Sequence, residues 1–253
     1  DGGASWVERD VPPSLGDGLN GVFFLDDLHG WVWGNVNSRT VDGGKTWTEL
    51  PVLGSTYFME FHTASFGLAT GNFGAFVSTD GGLSWTASPH QMGDFSFADE
   101  LTGLGASDTG LYRTTDGGAS FTLVLAGDAT AVAFLSATAA VAVVDGAFAR
   151  SSDGGATWTV GASAEGRSRL TAVSDGVVLA WGRSGGFPDF DDRLFRSGDS
   201  GVTWTDLGEV MVEGIHAVTV AAAPTVVAAD LAGNLFRSAD GGQIWVRTFT
   251  SPG

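Results

Sequence analysis

The sequence has no cysteine, which excludes disulfides, thiolate nucleophiles and cysteine metal sites. It has one lysine, Lys45, and 12 basic residues in all against 29 acidic ones, a net charge of −17. Such a surface repels phosphate backbones and anionic lipid, so nucleic acid and direct membrane insertion are excluded as partners. Four histidines, His29, His62, His90 and His216, are scattered without metal-ligand spacing. The two tyrosines are Tyr57 and Tyr112. No apolar run reaches the roughly 20 residues of a membrane helix. No segment keeps a 3.6-residue apolar period over helical length. The chain starts at Asp1 with neither an initiator methionine nor a signal sequence. It reads as a processed or trimmed product whose composition suits an extracytoplasmic protein: periplasmic, cell-surface or secreted.

What is abundant is glycine, 39 residues, and much of it falls in one short motif. Asp-Gly-Gly, two residues, then an aromatic occurs at Asp1–Trp6, Asp42–Trp47, Asp80–Trp85, Asp116–Phe121, Asp153–Trp158 and Asp240–Trp245. A serine replaces one glycine at Asp199–Trp204. The spacing of about 36–46 residues is that of a repeat array. Two residues before each aspartate from Asp42 onward stands a hydroxyl: Thr40, Ser78, Thr114, Ser151, Ser197 or Ser238. Three before it stands Arg39, Arg113, Arg150, Arg196 or Arg237, with Val77 the exception. Aspartate can accept backbone N–H bonds inside a turn, and glycine takes positive φ without a Cβ clash. The motif therefore predicts a tight turn between two strands, closed by a buried aromatic. Two more short apolar runs precede each turn, such as Leu19–Leu25 with Trp31–Trp33 and Ala131–Leu135 with Ala140–Val144. Four strands per unit predict an all-β chain, a β-propeller of four-stranded antiparallel blades. Six blades are expected, at about 12–50, 51–88, 89–124, 125–161, 162–207 and 208–249, in a single domain spanning 1–253. Residues 1–11 form a seventh outer edge, either a closing strand or part of an incomplete seventh blade.

The pattern Ser/Thr-x-Asp-x-Gly-x-x-Trp resembles the Asp-box, or bacterial neuraminidase repeat. The run Phe23–Gly34, followed by Arg39-Thr40-Val41-Asp42-Gly43-Gly44, is similar to repeats of the photosystem II stability and assembly factor family. The resemblance covers essentially the whole chain and implies a propeller with its boxes on the rim, away from the usual binding face. It does not select a function, because Asp-boxes occur in sialidases, other glycosidases, sorting receptors and assembly factors.

The boxes thus read as structural: Asp1, Asp42, Trp47, Asp80, Trp85, Asp116, Phe121, Asp153, Trp158, Asp199, Trp204, Asp240 and Trp245. The arginines, in register beside them, are expected to form salt bridges or to stack on a neighbouring box aromatic. Sialidase-like catalysis needs a tyrosine backed by a carboxylate, and Tyr57 with Glu60 is the pair that offers it; Tyr112 reads as core. Gly16-x-Gly18-x-x-Gly21 spells a dinucleotide fingerprint with no helix to follow, and Gly182-x-Ser184-x-Gly186 spells a nucleophile elbow between two strands. Neither is assigned a role, and no catalytic or metal residue is assigned. The candidate binding patch lies on the longest blade. Its insertion Gly182–Arg193 and the loops Ala162–Arg169 and Gly208–Gly214 should open on the face opposite the boxes. They bring Arg167, Arg169, Phe187, Asp189, Phe190, Asp191, Asp192, Glu209 and Glu213 into one region. Asp189, Asp191 and Asp192 are the carboxylates a Ca²⁺ ion would use. The resulting expectation is a non-catalytic protein-interaction or assembly scaffold. The alternatives are a carbohydrate-binding or glycoside-hydrolysing propeller and a metal- or solute-binding sensor.

Overall fold

A computed structural model describes residues 19–51, 53–88, 90–164, 166, 168–174, 176–182, 193–211 and 214–250. Six four-stranded antiparallel sheets account for its regular structure, and no described residue is helical. Sheet one is β1 (Leu19–Phe24), β2 (Gly30–Gly34), β3 (Asn37–Thr40) and β4 (Thr48–Leu50). Sheet two is β5 (Thr56–Phe61), β6 (Gly67–Gly71), β7 (Gly74–Ser78) and β8 (Thr86–Ala87). Sheet three is β9 (Asp94–Phe97), β10 (Gly103–Ser107), β11 (Gly110–Thr114) and β12 (Thr122–Ala126). Sheet four is β13 (Ala129–Phe134), β14 (Ala140–Val144), β15 (Ala147–Ser151) and β16 (Thr159–Ser163). Sheet five is β17 (Arg169–Ser174), β18 (Val177–Trp181), β19 (Phe195–Ser197) and β20 (Thr205–Asp206). Sheet six is β21 (Ile215–Ala222), β22 (Thr225–Asp230), β23 (Leu235–Ser238) and β24 (Val246–Phe249). Each sheet is a meander in chain order, the blade of a β-propeller. β12 and β16 each run two residues past the blade ends expected from the sequence.

The described strands fall into two compact units. One runs to Ser107 and takes in Tyr112–Leu123; the other takes in Asp108–Leu111 and everything from Val124. Within each, the core lies between successive blades. Second strands are therefore covered on both faces, which is why they read as apolar runs instead of alternating. β2 and β14 are buried at all five positions. In the first unit Trp31, Trp33 and Leu50 of blade one meet Met59, Phe61 and Ala69 of blade two. Trp31 stacks on Phe61 with ring centroids 3.8 Å apart and 5° between planes. Such a pair adds about 0.5–1.5 kcal/mol beyond the area it buries. In the second unit Val141, Val143 and Phe148 meet Val178, Ala180 and Phe195.

A small cross-strand rule recurs. The last residue of the first strand is Phe24, Phe61 or Phe97, and it pairs with Gly30, Gly67 or Gly103. A Cβ on those glycines would stand 2.3–2.5 Å from the ring, so the aromatic lies over the glycine backbone. Blade four uses Ala140 opposite Phe134 in the same register.

Candidate functional site

The box turns are built around a buried hydroxyl. In blade two Ser78 Oγ donates to Asp80 Oδ1 (2.9 Å) and accepts from the N–H groups of Asp80 (3.3 Å) and Gly82 (2.8 Å). A serine hydroxyl has one donor and two acceptor sites, and all three are used. The same three bonds form at Thr40, Thr114, Ser151, Ser197 and Ser238. The aspartate's other bonds run forward, to the residue just before the aromatic. In blade four Asp153 Oδ1 accepts from Thr157 N–H (2.9 Å) and Oδ2 from Thr157 Oγ1 (2.6 Å). Thr46, Ser84, Ser120 and Thr203 repeat this hydroxyl contact. That fourth element of the motif, a hydroxyl four residues after the aspartate, is spelled in the sequence and escaped the pattern reading; Ile244 breaks it in blade six. The residue after each aspartate donates its N–H to a carbonyl of the β1–β2-type turn of the same blade, as Gly81 does to Ser65 at 2.7 Å and Ser200 to Gly176 at 2.8 Å. Both box glycines of blade two have positive φ, at 76° and 90°. In blade five Ser200 takes that conformation, at 60°, without glycine's freedom.

These bonds fix the chemistry of the boxes. Hydrogen bonds from the forward hydroxyl, then the forward N–H, hold Asp42, Asp116, Asp153 and Asp199 at a pKa of about 2. A carboxylate held ionised by its own turn does not act as a proton donor near neutral pH. The six described boxes, Asp42 through Asp240, hold the blades together.

Two of the arginines, Arg39 and Arg196, also serve the boxes, but not in the way their register suggests. Arg39 Nη1 donates to the carbonyls of Asp80 (3.2 Å) and Gly81 (3.3 Å) in the following box. Arg196 Nε donates to the carbonyl of Gly241 (2.9 Å). These two residues thus bind backbone carbonyls, not a carboxylate or an aromatic face. The box chain comes close enough to fill the role because its glycines leave carbonyls bare, which residue-by-residue charge matching does not reveal. The box aromatics also pack forward to back. Trp85 lies against the core of blades one and two, Phe121 against that of blades two and three, Trp204 against blades four and five, and Trp245 against blades five and six. Trp204 stacks on Phe148 at 3.8 Å.

Of the patch expected on blade five, Arg169 and Glu209 are described. Arg169 opens β17 opposite Trp181, and Glu209 follows β20; both are exposed, at the end of the blade away from its box. Arg167, Phe187, Asp189, Phe190, Asp191, Asp192 and Glu213 lie outside the described residues, as does the Asp1–Trp6 box. Arg193, at the end of the insertion, is paired with Asp206.

Blade two holds two further groups on its first strand. At the end away from the box, Tyr57 and Phe73 are 61% and 75% exposed. The Tyr57 hydroxyl donates to Asn72 Oδ1, and Phe73 lies against Gly54, so both rings are held in place from below. Tyr57 thus directs its hydroxyl to Asn72, and among the described residues no hydrogen bond joins Tyr57 to Glu60. Tyr112 is half-buried, stacked with His90 at 4.5 Å beside the blade-two core, as expected of a core residue. Further along β5, Glu60 keeps access to water yet is crowded by surrounding protein. That crowding, and then the like charge of Asp94 on β9, raises its pKa to about 7. A narrow cleft beside it is lined by Glu60, His62, Phe66, Ser96 and Phe97, with about 10 Å³ of space, room for one water. In the sequence Glu60 stands out by its distance from Tyr57. Its neighbour Asp94, 34 positions on, has no sequence signal because the pairing depends on two blades meeting.

Residues 76–87 match the family model of the BNR/Asp-box repeat. No match was found among curated proteins. Solved structures carry the comparison further. YCF48 bound to D1 peptide is 21% identical, with a TM-score of 0.64 over 91% of this chain and 80% of that one. YCF48 from Cyanidioschyzon merolae is 19% identical, with a TM-score of 0.64 over 91% and 84%. The GH74 xyloglucanase from Xanthomonas campestris is 17% identical, with a TM-score of 0.68 over 91% of this chain but 45% of the enzyme. At these identities the likeness shows the fold, the Asp-box β-propeller.

Proposed function

We propose that the protein is a non-catalytic interaction scaffold that binds a protein segment on the face away from its boxes and works outside the cytoplasm. The observation that carries this reading is the pair Tyr57 and Phe73, two exposed rings on a rigid blade. Large aromatics exposed beside fixed polar groups are what binding hot spots are made of. The expected blade-five patch, with Arg169 and Glu209 at its described edge, belongs to the same face of its own blade. The likeness to YCF48, a propeller seen with a D1 peptide, supports a protein partner. The test is capture from cells of the source with the Tyr57→Ala/Phe73→Ala variant. Both positions are exposed, so the variant should melt near the parent and lose partners the parent retains. An unchanged partner set would remove this face from the assignment.

A second reading, glycoside binding or hydrolysis, is favoured by Glu60. A carboxylic acid that keeps its proton near neutral pH beside a second carboxylate is what a glycosidase general acid requires. The likeness to a GH74 xyloglucanase points the same way. Release of reducing sugar from xyloglucan by the parent, lost in Glu60→Gln, supports it; no release by the parent removes it.

A further inference from the structure

An Asp-Gly bond is open to rearrangement, because glycine puts no side chain in the way of its own nitrogen. That nitrogen attacks the aspartate Cγ, and the carboxyl hydroxyl leaves with the amide proton as water, closing a succinimide ring. Water then reopens the ring. Addition at the former main-chain carbonyl leaves the chain running through Cγ, as isoaspartate. No atom is gained or lost overall, and the main chain is longer by one methylene.

The repeats of this chain spell Asp-Gly many times, and the box fold guards it. In five boxes the glycine N–H after the aspartate donates to a carbonyl of its own blade. Gly43 binds Leu28 (3.0 Å), Gly81 Ser65 (2.7 Å), Gly117 Leu101 (2.9 Å), Gly154 Thr138 (2.8 Å) and Gly241 Pro224 (2.9 Å). The attacking atom is therefore tied. The carboxyl is turned forward as well, as Asp153 is onto Thr157 N–H and Oγ1. The reacting form is the acid. At Asp42, Asp116 and Asp153 a pKa of about 2 makes that form scarce. It is then roughly a hundredfold rarer near neutral pH than in an ordinary aspartate.

Among the described residues one Asp-Gly pair lies outside the boxes. Asp145–Gly146 is the two-residue turn between β14 and β15, at the end of blade four away from its box. Both residues are exposed, with positive φ of 50° and 70°. The Gly146 N–H has no acceptor among the described residues, and nothing stands within 4 Å of where its Cβ would be. The Asp145 carboxyl accepts one bond there, from Asp128 N–H at 2.8 Å. The pairs at Asp1, Asp17 and Asp175 lie outside the described residues. We propose that Asp145–Gly146 is a site of covalent modification, converted to isoaspartate through a succinimide while the five boxes are spared. The carboxyl that holds Asp128 N–H becomes main chain, and the added methylene lengthens the turn. The clasp in which Asp145 N–H also binds the Asp128 carbonyl (2.8 Å) is then lost. The exposed carboxylate left behind is what methyl-transferring isoaspartate repair enzymes act on.

Ageing the full chain tests this. Folded protein is held for weeks at physiological temperature and pH and digested. Each Asp-Gly peptide is scored for isoaspartate by fragmentation mass spectrometry and by enzymatic methylation. Deamidation of Asn20–Gly21 adds mass and is scored apart. The 145–146 peptide should lead each of the five box peptides by at least tenfold. In urea the six pairs should age within a few-fold of one another. Thr157→Ala, at an exposed position, frees one oxygen of Asp153 and should raise isoaspartate at Asp153–Gly154 several-fold, with 145–146 unchanged. Isoaspartate at 145–146 no faster than in the boxes would overturn the proposal. So would an equal lead in urea, which would put the cause in the flanking sequence instead of the fold. An unmoved Asp153–Gly154 would overturn the guarding role of the carboxylate bonds.

Discussion

Ser78→Ala removes one oxygen atom and, with it, the centre of a box. Ser78 is 1% exposed, and its hydroxyl makes three bonds, one given to Asp80 Oδ1 and two taken from Asp80 and Gly82 N–H. Asp80 Oδ1 keeps its bond from Ser84 N–H, so the carboxylate is not left bare. Gly82 N–H is buried and has no second acceptor among its described bonds. Stranding a buried donor costs about 1–3 kcal/mol, and the lost bond to the carboxylate adds about 1 more. The expected loss is about 2–4 kcal/mol. For a chain of this size that lowers Tm by about 4–16 °C. Thermal unfolding followed by near-ultraviolet dichroism, which reads the packed tryptophans, is the assay. Ser78→Thr is the control, since threonine fills the same position at Thr40 and Thr114, and it should stay within about 2 °C of the parent. An alanine variant that melts with the parent would refute the idea that the hydroxyl organises the turn.

Three other expectations follow from irregularities among the blades. Ile244→Thr restores the forward hydroxyl that the other five described boxes have, and should raise stability by about 0.5–1 kcal/mol and lower the Asp240 pKa further, read by carboxyl NMR titration. Ser200→Gly relieves a left-handed serine, about 1–2 kcal/mol, against the greater chain entropy of glycine, and should gain about 0.5 kcal/mol in urea unfolding. Glu60 has a folded pKa of about 7, above its unfolded value, so its favourable contribution is complete below about pH 4.5 and is lost as pH rises through 7. Glu60→Gln should therefore leave stability unchanged at pH 4 and raise it by about 1 kcal/mol at pH 8, water access having screened the penalty. A gain of equal size at both pH values would count against the pKa assignment.

The sequence by itself determined the blades. Asp-Gly-Gly with a hydroxyl before and an aromatic after is a local device: the bonds of its hydroxyl and carboxylate side chains run between residues at most four apart, so spelling is enough to specify the turn. Second strands such as Val141–Val144 were legible for a related reason, since a run apolar at every position must be covered on both faces. The tertiary structure decided what each blade touches. Arg39 looked like a partner for charge or for an aromatic, and it holds two carbonyls 41 and 42 positions away. Glu60 meets Asp94 because two first strands come side by side, and Tyr57 turns to Asn72 because a β-turn 15 positions on brings that amide beneath it. Such contacts join residues that no spacing rule relates. They depend on how one blade settles on the next, which is set by side-chain volume in the core between them.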